Sequence, residues 1–274
     1  MFWYFKDLRR HFILSSLAGG VIVAILAVVI MYLLFVPMPV CILIGAAYAI
    51  LWTIFRRTMA ERKAFTRFEH ANQIRKEECR IKDYIHFYEI LLETNKDPRH
   101  RRRILLNLST GFLDLGDDSR AKEILDEMST FYAKRHASTQ KIMYLNNLTK
   151  YYIHIRDLSK ARTSLKLFEE ALLDPALSAS ESRSHLGLYE ENKATLLLLE
   201  GHTDDIEDFF QKIVDAPSCL LDQIEAYDRL IILYRKQNRP DKSLAVKAYV
   251  ASHGGDTSAA SRARLELNNA GNAY

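Results

Sequence analysis

The side chains in this chain best placed to do chemistry are basic. Arg99, Arg101, Arg102 and Arg103 form one run with His100 among them. Guanidinium groups at that density suit an acidic segment of a partner or anionic headgroups, and a solvated hydrophilic turn is the plain alternative. A second basic group, Arg56, Arg57, Arg62, Lys63 and Arg67, stands against one acid, Glu61. The acidic runs Asp204-Asp205 and Glu207-Asp208 fall in the first turns of a helix, where the macrodipole accounts for them without a metal. The histidines are scattered singly, and His154, on a tyrosine-rich helix face, is the one expected to be buried. Cys41, Cys79 and Cys219 lie far apart without a CxxC, as small buried residues of a reducing compartment do. There is no HExxH, no GxSxG, no Gly-rich phosphate loop after a strand and no Cys/His cluster of metal spacing. Binding, not catalysis, is therefore the expected class, with no cofactor and no metal.

The charge is unevenly placed. Residues 1–67 hold 8 Lys and Arg against 2 Asp and Glu; the other 207 hold 30 against 32. The soluble part is slightly acidic, and it lacks an aromatic platform interleaved with its basic run. Both points argue against nucleic acid as a partner.

Two apolar stretches must position everything else. Phe12–Phe35 carries no formal charge over 24 residues, and Met38–Phe55 none over 18. As helices they reach roughly 36 Å and 27 Å, against a bilayer core of about 30 Å. Val36 and Pro37 separate them and Pro39 follows, so the chain turns there. Residues 1–55 thus read as a two-helix transmembrane hairpin with a tip too small to hold a ligand. Ala47-Tyr48-Ala49 is small-x-small, but some 35 apolar residues precede it, too many for a signal peptide. Lys6, Arg9 and Arg10 before the first span and the Arg56–Arg67 group after the second place both termini in the cytoplasm. The short, compact chain leans toward a bacterial plasma membrane. Small residues at i, i+4 spacing, Ser16, Gly20 and Ala24 with Cys41, Gly45 and Ala49, form seams for close packing in lipid.

Beyond the hairpin the chain reads as all-α. Residues 56–98 form a basic helical stalk without Gly or Pro until Asn95-Lys96-Asp97-Pro98 ends it. Apolar residues then keep helical period in segments divided by short polar breaks: Gly116-Asp117-Asp118, Lys134 to Ser138, Arg156-Asp157, Asp174 to Ser180, Gly201-His202, Ala216-Pro217-Ser218 and Asn238 to Pro240. Residues 253–274 read as a polar tail with a short capping helix around Ala259–Leu267.

The segments pair, and the pairs repeat. One pair carries Leu105, Leu108, Ser109, Phe112, Gly116, Ala121, Leu125 and Met128; the next, Leu145, Leu148, Thr149, Tyr152, Arg156, Ala161, Leu165 and Phe168. A fourth carries Tyr227, Leu230, Ile231, Tyr234, Asn238, Ser243, Lys247 and Val250. The third, through Ala194, Leu197, Gly201, Ile206, Phe210 and Ile213, departs at Glu190 and Lys193. At these spacings residues 99–252 resemble the tetratricopeptide repeat family, with second helices 40, 45 and 37 residues apart instead of about 34. The resemblance implies an irregular α-solenoid whose first helices line a concave, peptide-binding groove. It also implies a role for Asn107, Asn147 and Asn192, with Arg229 in the fourth repeat. These hold equivalent positions in the first helices, where the family's asparagine amides hydrogen-bond an extended peptide backbone. Leu106 and Thr110 stand where the family's chaperone-tail clamp would need basic residues, so chaperone tails are not the expected partner.

The expected function is a membrane-anchored cytoplasmic scaffold that holds a protein or peptide partner at the lipid bilayer. The rival readings are an accessory subunit docking through spans and solenoid together, and a membrane enzyme with an unrecognised site.

Overall fold

In a computed structural model of the protein, the described residues are 2–35, 37–133 and 138–271, and among them the chain forms twelve α-helices and no strand. Val36 of the expected turn and Lys134–Ala137 of one expected break lie outside them, as do the side chains of Ala24 and Cys41. The chain divides into two compact units: residues 1–70 with 93–95, and residues 71–92 with 96–274. The division falls inside the segment expected to be a stalk, and the C-terminal tail belongs to the larger unit.

In the first unit a 3₁₀ turn, Phe2–Tyr4, leads into α1 (Lys6–Leu34), and α2 (Met38–Glu77) returns antiparallel to it. At the charged end Arg67 forks onto both carboxylate oxygens of Asp7 at 2.6 and 3.0 Å, and its guanidinium lies 4.8 Å over the Phe5 ring. Phe68 packs edge-on against Tyr4 at 5.4 Å. Further along, Arg56 donates to Ser15 Oγ at 3.0 Å and meets His11 Nε2 at 2.8 Å, while Trp52 Nε1 donates to the Ser15 carbonyl. The helices approach closely at Gly19, beside the expected Ser16–Gly20–Ala24 seam. A Cβ on Gly19 would sit 2.0 Å from the Trp52 indole nitrogen, whereas Gly20 faces open space. Away from this crossing many of the described apolar side chains stay outside: Leu17, Leu33, Leu43 and Leu51 are each about two-thirds exposed. The stretch Ile42–Glu77 is long and apolar enough to cross a membrane; mean hydropathy reaches 1.3 over 18 residues, none of them buried.

The second unit is a stack of helices. The end of α2 and α3 (Ile81–Thr94) precede four pairs: α4 (Pro98–Leu115) with α5 (Asp118–Ala133), α6 (Thr139–His154) with α7 (Leu158–Leu172), α8 (Ala179–Glu200) with α9 (Ile206–Asp215), and α10 (Leu220–Lys236) with α11 (Pro240–His253). A last helix, α12 (Ser258–Gly271), packs on α11. Local chemistry sets the starts. Asp97 accepts from the Arg99 and His100 amides with Pro98 at the first helical position, Ser138 and Asp157 cap α6 and α7, and Ser178 with Glu181 closes a capping box on α8. It also sets the turns within pairs. Gly116, Arg156, Gly201 and Asn238, one per pair, all adopt positive φ, between 55° and 103°.

The large residues of the repeat pattern form the core. Leu108, Leu125, Met128, Phe168, Phe210 and Leu230 are all at most 2 % exposed. The third pair differs: Glu190 and Lys193 stay outside, and the ten-residue α9 packs on α10 through Phe210 and Val214. The tail is not a loose end. Thr257 caps α12, which buries Ala259, Ala260 and Ala263 and runs to Gly271, four residues beyond the expected Leu267.

The two ends of this stack meet. The Asp256 carboxylate accepts from the amides of Ile81 and Lys82 at 2.5 and 3.0 Å, capping α3 from a position about 175 residues away. The Asp256 amide returns a bond to the Cys79 carbonyl at 3.1 Å. Gly255, at φ 54°, makes this approach possible, since a Cβ there would lie 2.3 Å from the Cys79 oxygen.

Candidate functional site

Buried polar residues on the first helices of three pairs, α4, α6 and α8, bond to one another across the stack. Asn192 on α8 donates to Asn146 Oδ1 on α6 at 2.8 Å, and Asn146 donates to Asn147 Oδ1 at 3.2 Å. The Asn147 amide then donates toward α4, to the Leu106 carbonyl, Ser109 Oγ and Thr110 Oγ1, at 2.9–3.1 Å. Asn147 is fully buried and Asn192 is 3 % exposed. The proposed peptide ladder is therefore closed to a peptide at these two rungs. Their amides satisfy neighbouring helices instead, because the first helices approach too closely to leave a row of open donors. Asn107 is half-buried, accepting from the Tyr84 hydroxyl and donating to the Arg103 carbonyl. Arg229 is buried against Asp228 at 2.6 Å.

Next to this spine lies a charge centre that sequence reasoning missed. Arg75 from the end of α2 binds Asp114 of α4 at 2.6 Å and lies 5.5 Å over the Tyr84 ring. Lys150 of α6 binds Glu225 of α10 at 2.9 Å. Glu191 of α8 faces Glu225, Lys150 and Arg229. Five helices thus contribute ionisable groups to one cluster, principally Arg75, Asp114, Lys150, Glu191 and Glu225. Burial raises the pKa of Asp114 from its ordinary value, outweighing the pull of Arg75. For Glu225 burial acts the same way, but Lys150, Arg229 and Arg75 outweigh it and hold the group at about 2. Glu191 is pushed up to about 7, by burial first and by the Glu225 charge that its own proton bridges. The five residues were invisible as a set because 150 residues of chain separate the first from the last. The one available signal was charge at inward positions of otherwise apolar helices.

A testable result follows from Glu191. Its folded pKa exceeds the unfolded value of 4.5. Stability is therefore fully present below about pH 4.5 and falls as pH rises through 7. Glu191→Gln, which copies the protonated form, should equal the parent in thermal unfolding at pH 4 and exceed it at pH 8 by on the order of 3 kcal/mol. Equal stabilities at pH 8 would show that Glu191 titrates normally.

A cavity of about 530 Å³ opens at the C-terminal ends of α4, α6 and α8, walled by α10 and α12. Leu115, Ile153, Leu199, Ile231 and Ala263 supply apolar lining; Arg156, Arg229, Arg235, Lys247 and Arg262 supply positive charge. Its acids are engaged: Asp228 by Arg229 and Arg262, Glu266 by Arg235 and Lys247, Asp118 by His154 at 3.2 Å. His154 is only partly buried.

The basic groups read from sequence are not brought into this cavity. In the larger unit Arg99, Arg101 and Arg103 are exposed on the first turns of α4, with Arg101 3.7 Å from Glu127. Arg102 is half-buried, stacked 4.0 Å over Phe131. In the smaller unit Arg57, Arg62 and Lys63 are exposed, while Arg56 and Arg67 are tied to α1. Cys79 and Cys219 are both buried, and burial lifts their thiols to about 12 and 11, so neither is a ready nucleophile. Among the described residues no three His, Cys, Asp or Glu side chains gather as metal ligands would. No protein-family model matches the chain, and no curated protein or solved structure is detectably similar to it.

Proposed function

We propose that this protein is a membrane-anchored adaptor: a two-helix hairpin inserted in the bilayer and a tetratricopeptide-like solenoid that binds a protein partner on the cytoplasmic side. The observation that carries this reading is the exposure of the apolar side chains along α1 and the first half of α2, such as Leu17, Leu33, Leu43 and Leu51. An apolar surface of that extent is stable in lipid and not in water. The basic residues Arg56, Arg57, Arg62 and Lys63 at its margin favour the cytoplasmic leaflet and its anionic headgroups. Tethering raises the effective concentration of a bound partner at the membrane without chemistry. A buried asparagine spine gives the partner little inside the stack, so docking on the outer faces and the cavity rim fits better than a peptide threaded along the first helices.

The test is fractionation and topology of the full chain together with a version lacking residues 1–56. The full chain should resist alkaline extraction from membranes, and the truncated one should be soluble, folded and able to capture the same partner. A C-terminal tag should be digested in inside-out vesicles and protected in intact cells. Recovery of the full chain in the alkaline supernatant would end the anchor reading. A partner lost with the hairpin would replace the adaptor by a subunit that docks through its spans.

A further inference from the structure

The cavity holds more positive charge than its own acids answer. Five basic side chains line it against three carboxylates, and every one of those carboxylates is already paired. Arg229 is 9 % exposed, and its Nε–H is buried without a hydrogen-bond partner. A buried guanidinium donor left unmade is costly, and native interiors rarely keep one without a ligand or water to take it. Arg156 makes no ion pair among the described residues; it sits at φ 62° in the turn after α6. Partial burial lowers its pKa, and the charge of Arg229 lowers it further; Asp228 opposes them and Arg262 adds to them. Three guanidinium groups line one polar space with a single carboxylate, Asp228, shared by two of them, and the charge left over suits an oxyanion. Beside them the wall is apolar, with Ile153, Leu199, Ile231, Ile232 and Ala263.

We infer that this cavity binds a soluble amphipathic organic anion, its phosphate or carboxylate head held by Arg156, Arg229 and Arg262 and its apolar body laid on the Ile153–Leu199–Ile231 wall. The volume, about 530 Å³, suits a ligand of metabolite size. The site goes beyond the adaptor reading and does not depend on it.

The test is calorimetric titration of the full-length protein in phosphatidylcholine nanodiscs with hexyl phosphate, inorganic phosphate and hexanol. Hexyl phosphate should bind at one site, at least about tenfold tighter than inorganic phosphate, and hexanol should not saturate. Arg156→Gln and Arg262→Gln are at exposed positions, and Asp228 keeps Arg229 when Arg262 is changed, so both should leave the circular dichroism unchanged. Each should weaken hexyl phosphate about tenfold. Binding that both variants leave intact, hexanol binding as tightly, or no saturable binding at all would overturn the proposal. Equal affinities for the two phosphates would overturn the apolar part of the site. Loss of hexyl phosphate binding in nanodiscs with one-fifth phosphatidylglycerol would make the occupant a lipid headgroup and overturn its assignment as soluble.

Discussion

Arg75→Met should lower the unfolding temperature of the helical unit by about 10 °C, and by less as the solution is made more acid. The substitution keeps the volume of the side chain but leaves Asp114, whose side chain is 2 % exposed, without its cation. Breaking a buried ion pair from one side costs about 3–5 kcal/mol, which in a domain of this size is about 10 °C. The pH dependence distinguishes this cause from lost packing. Asp114 is already raised above 3.8 by burial, and removing Arg75 takes away the strongest opposing pull. A carboxyl raised in the folded state favours folding when protonated. Its contribution is complete below pH 3.8 and lost as pH climbs through the folded pKa. The gap between Arg75→Met and the parent should therefore be largest at pH 8 and should narrow toward pH 5. Adding Asp114→Asn to Arg75→Met should recover most of the loss. A deficit equal at both pH values would mean that Arg75 acts through its contact with Tyr84 and not through charge.

Asn147→Ala should cost about 2–4 kcal/mol, and Asn107→Ala about 1 kcal/mol, although the two hold equivalent places in successive repeats. Truncating Asn147 removes a donor shared by the Leu106 carbonyl, Ser109 and Thr110, and strands the Asn146 amide that donates to it. All of these groups are buried, so water cannot replace what is lost. Asn107 is half-open to solvent and water can stand in for most of its bonds. Chemical denaturation of the two variants at neutral pH measures the contrast. Equal and small effects, with loss of partner capture in both, would restore the asparagines as a binding ladder.

The chain's local organisation was legible in its residues. Apolar spacing and capping chemistry place the helices. Asp97-Pro98, Ser138, Asp157 and the Ser178–Glu181 box each start one within a residue or two of the expected break. The breaks at Gly116, Arg156, Gly201 and Asn238 were legible as turns, and the structure adds that all four take positive φ. Even the departure of the third pair shows in Glu190 and Lys193, two charges where apolar side chains would lock α8 onto α9.

What a helical sequence alone cannot determine is which polar side chain meets which. A 3.6-residue period fixes a face, and burial on that face follows from how closely the next helix comes. Asn147 and Asn192 look like surface amides in sequence and become internal cross-links because α4, α6 and α8 stack tightly. Arg75, Asp114, Lys150, Glu191 and Glu225 look like ordinary surface charges until the stack brings them together. Asp256 of the tail caps α3 only because the two ends of the stack come within hydrogen-bonding distance. The sequence determined the helices, their faces and the apolar stretches, since these depend on neighbours within a turn or two. The tertiary structure decided the spine, the charge centre and the cavity, since each is built from residues that only packing makes neighbours.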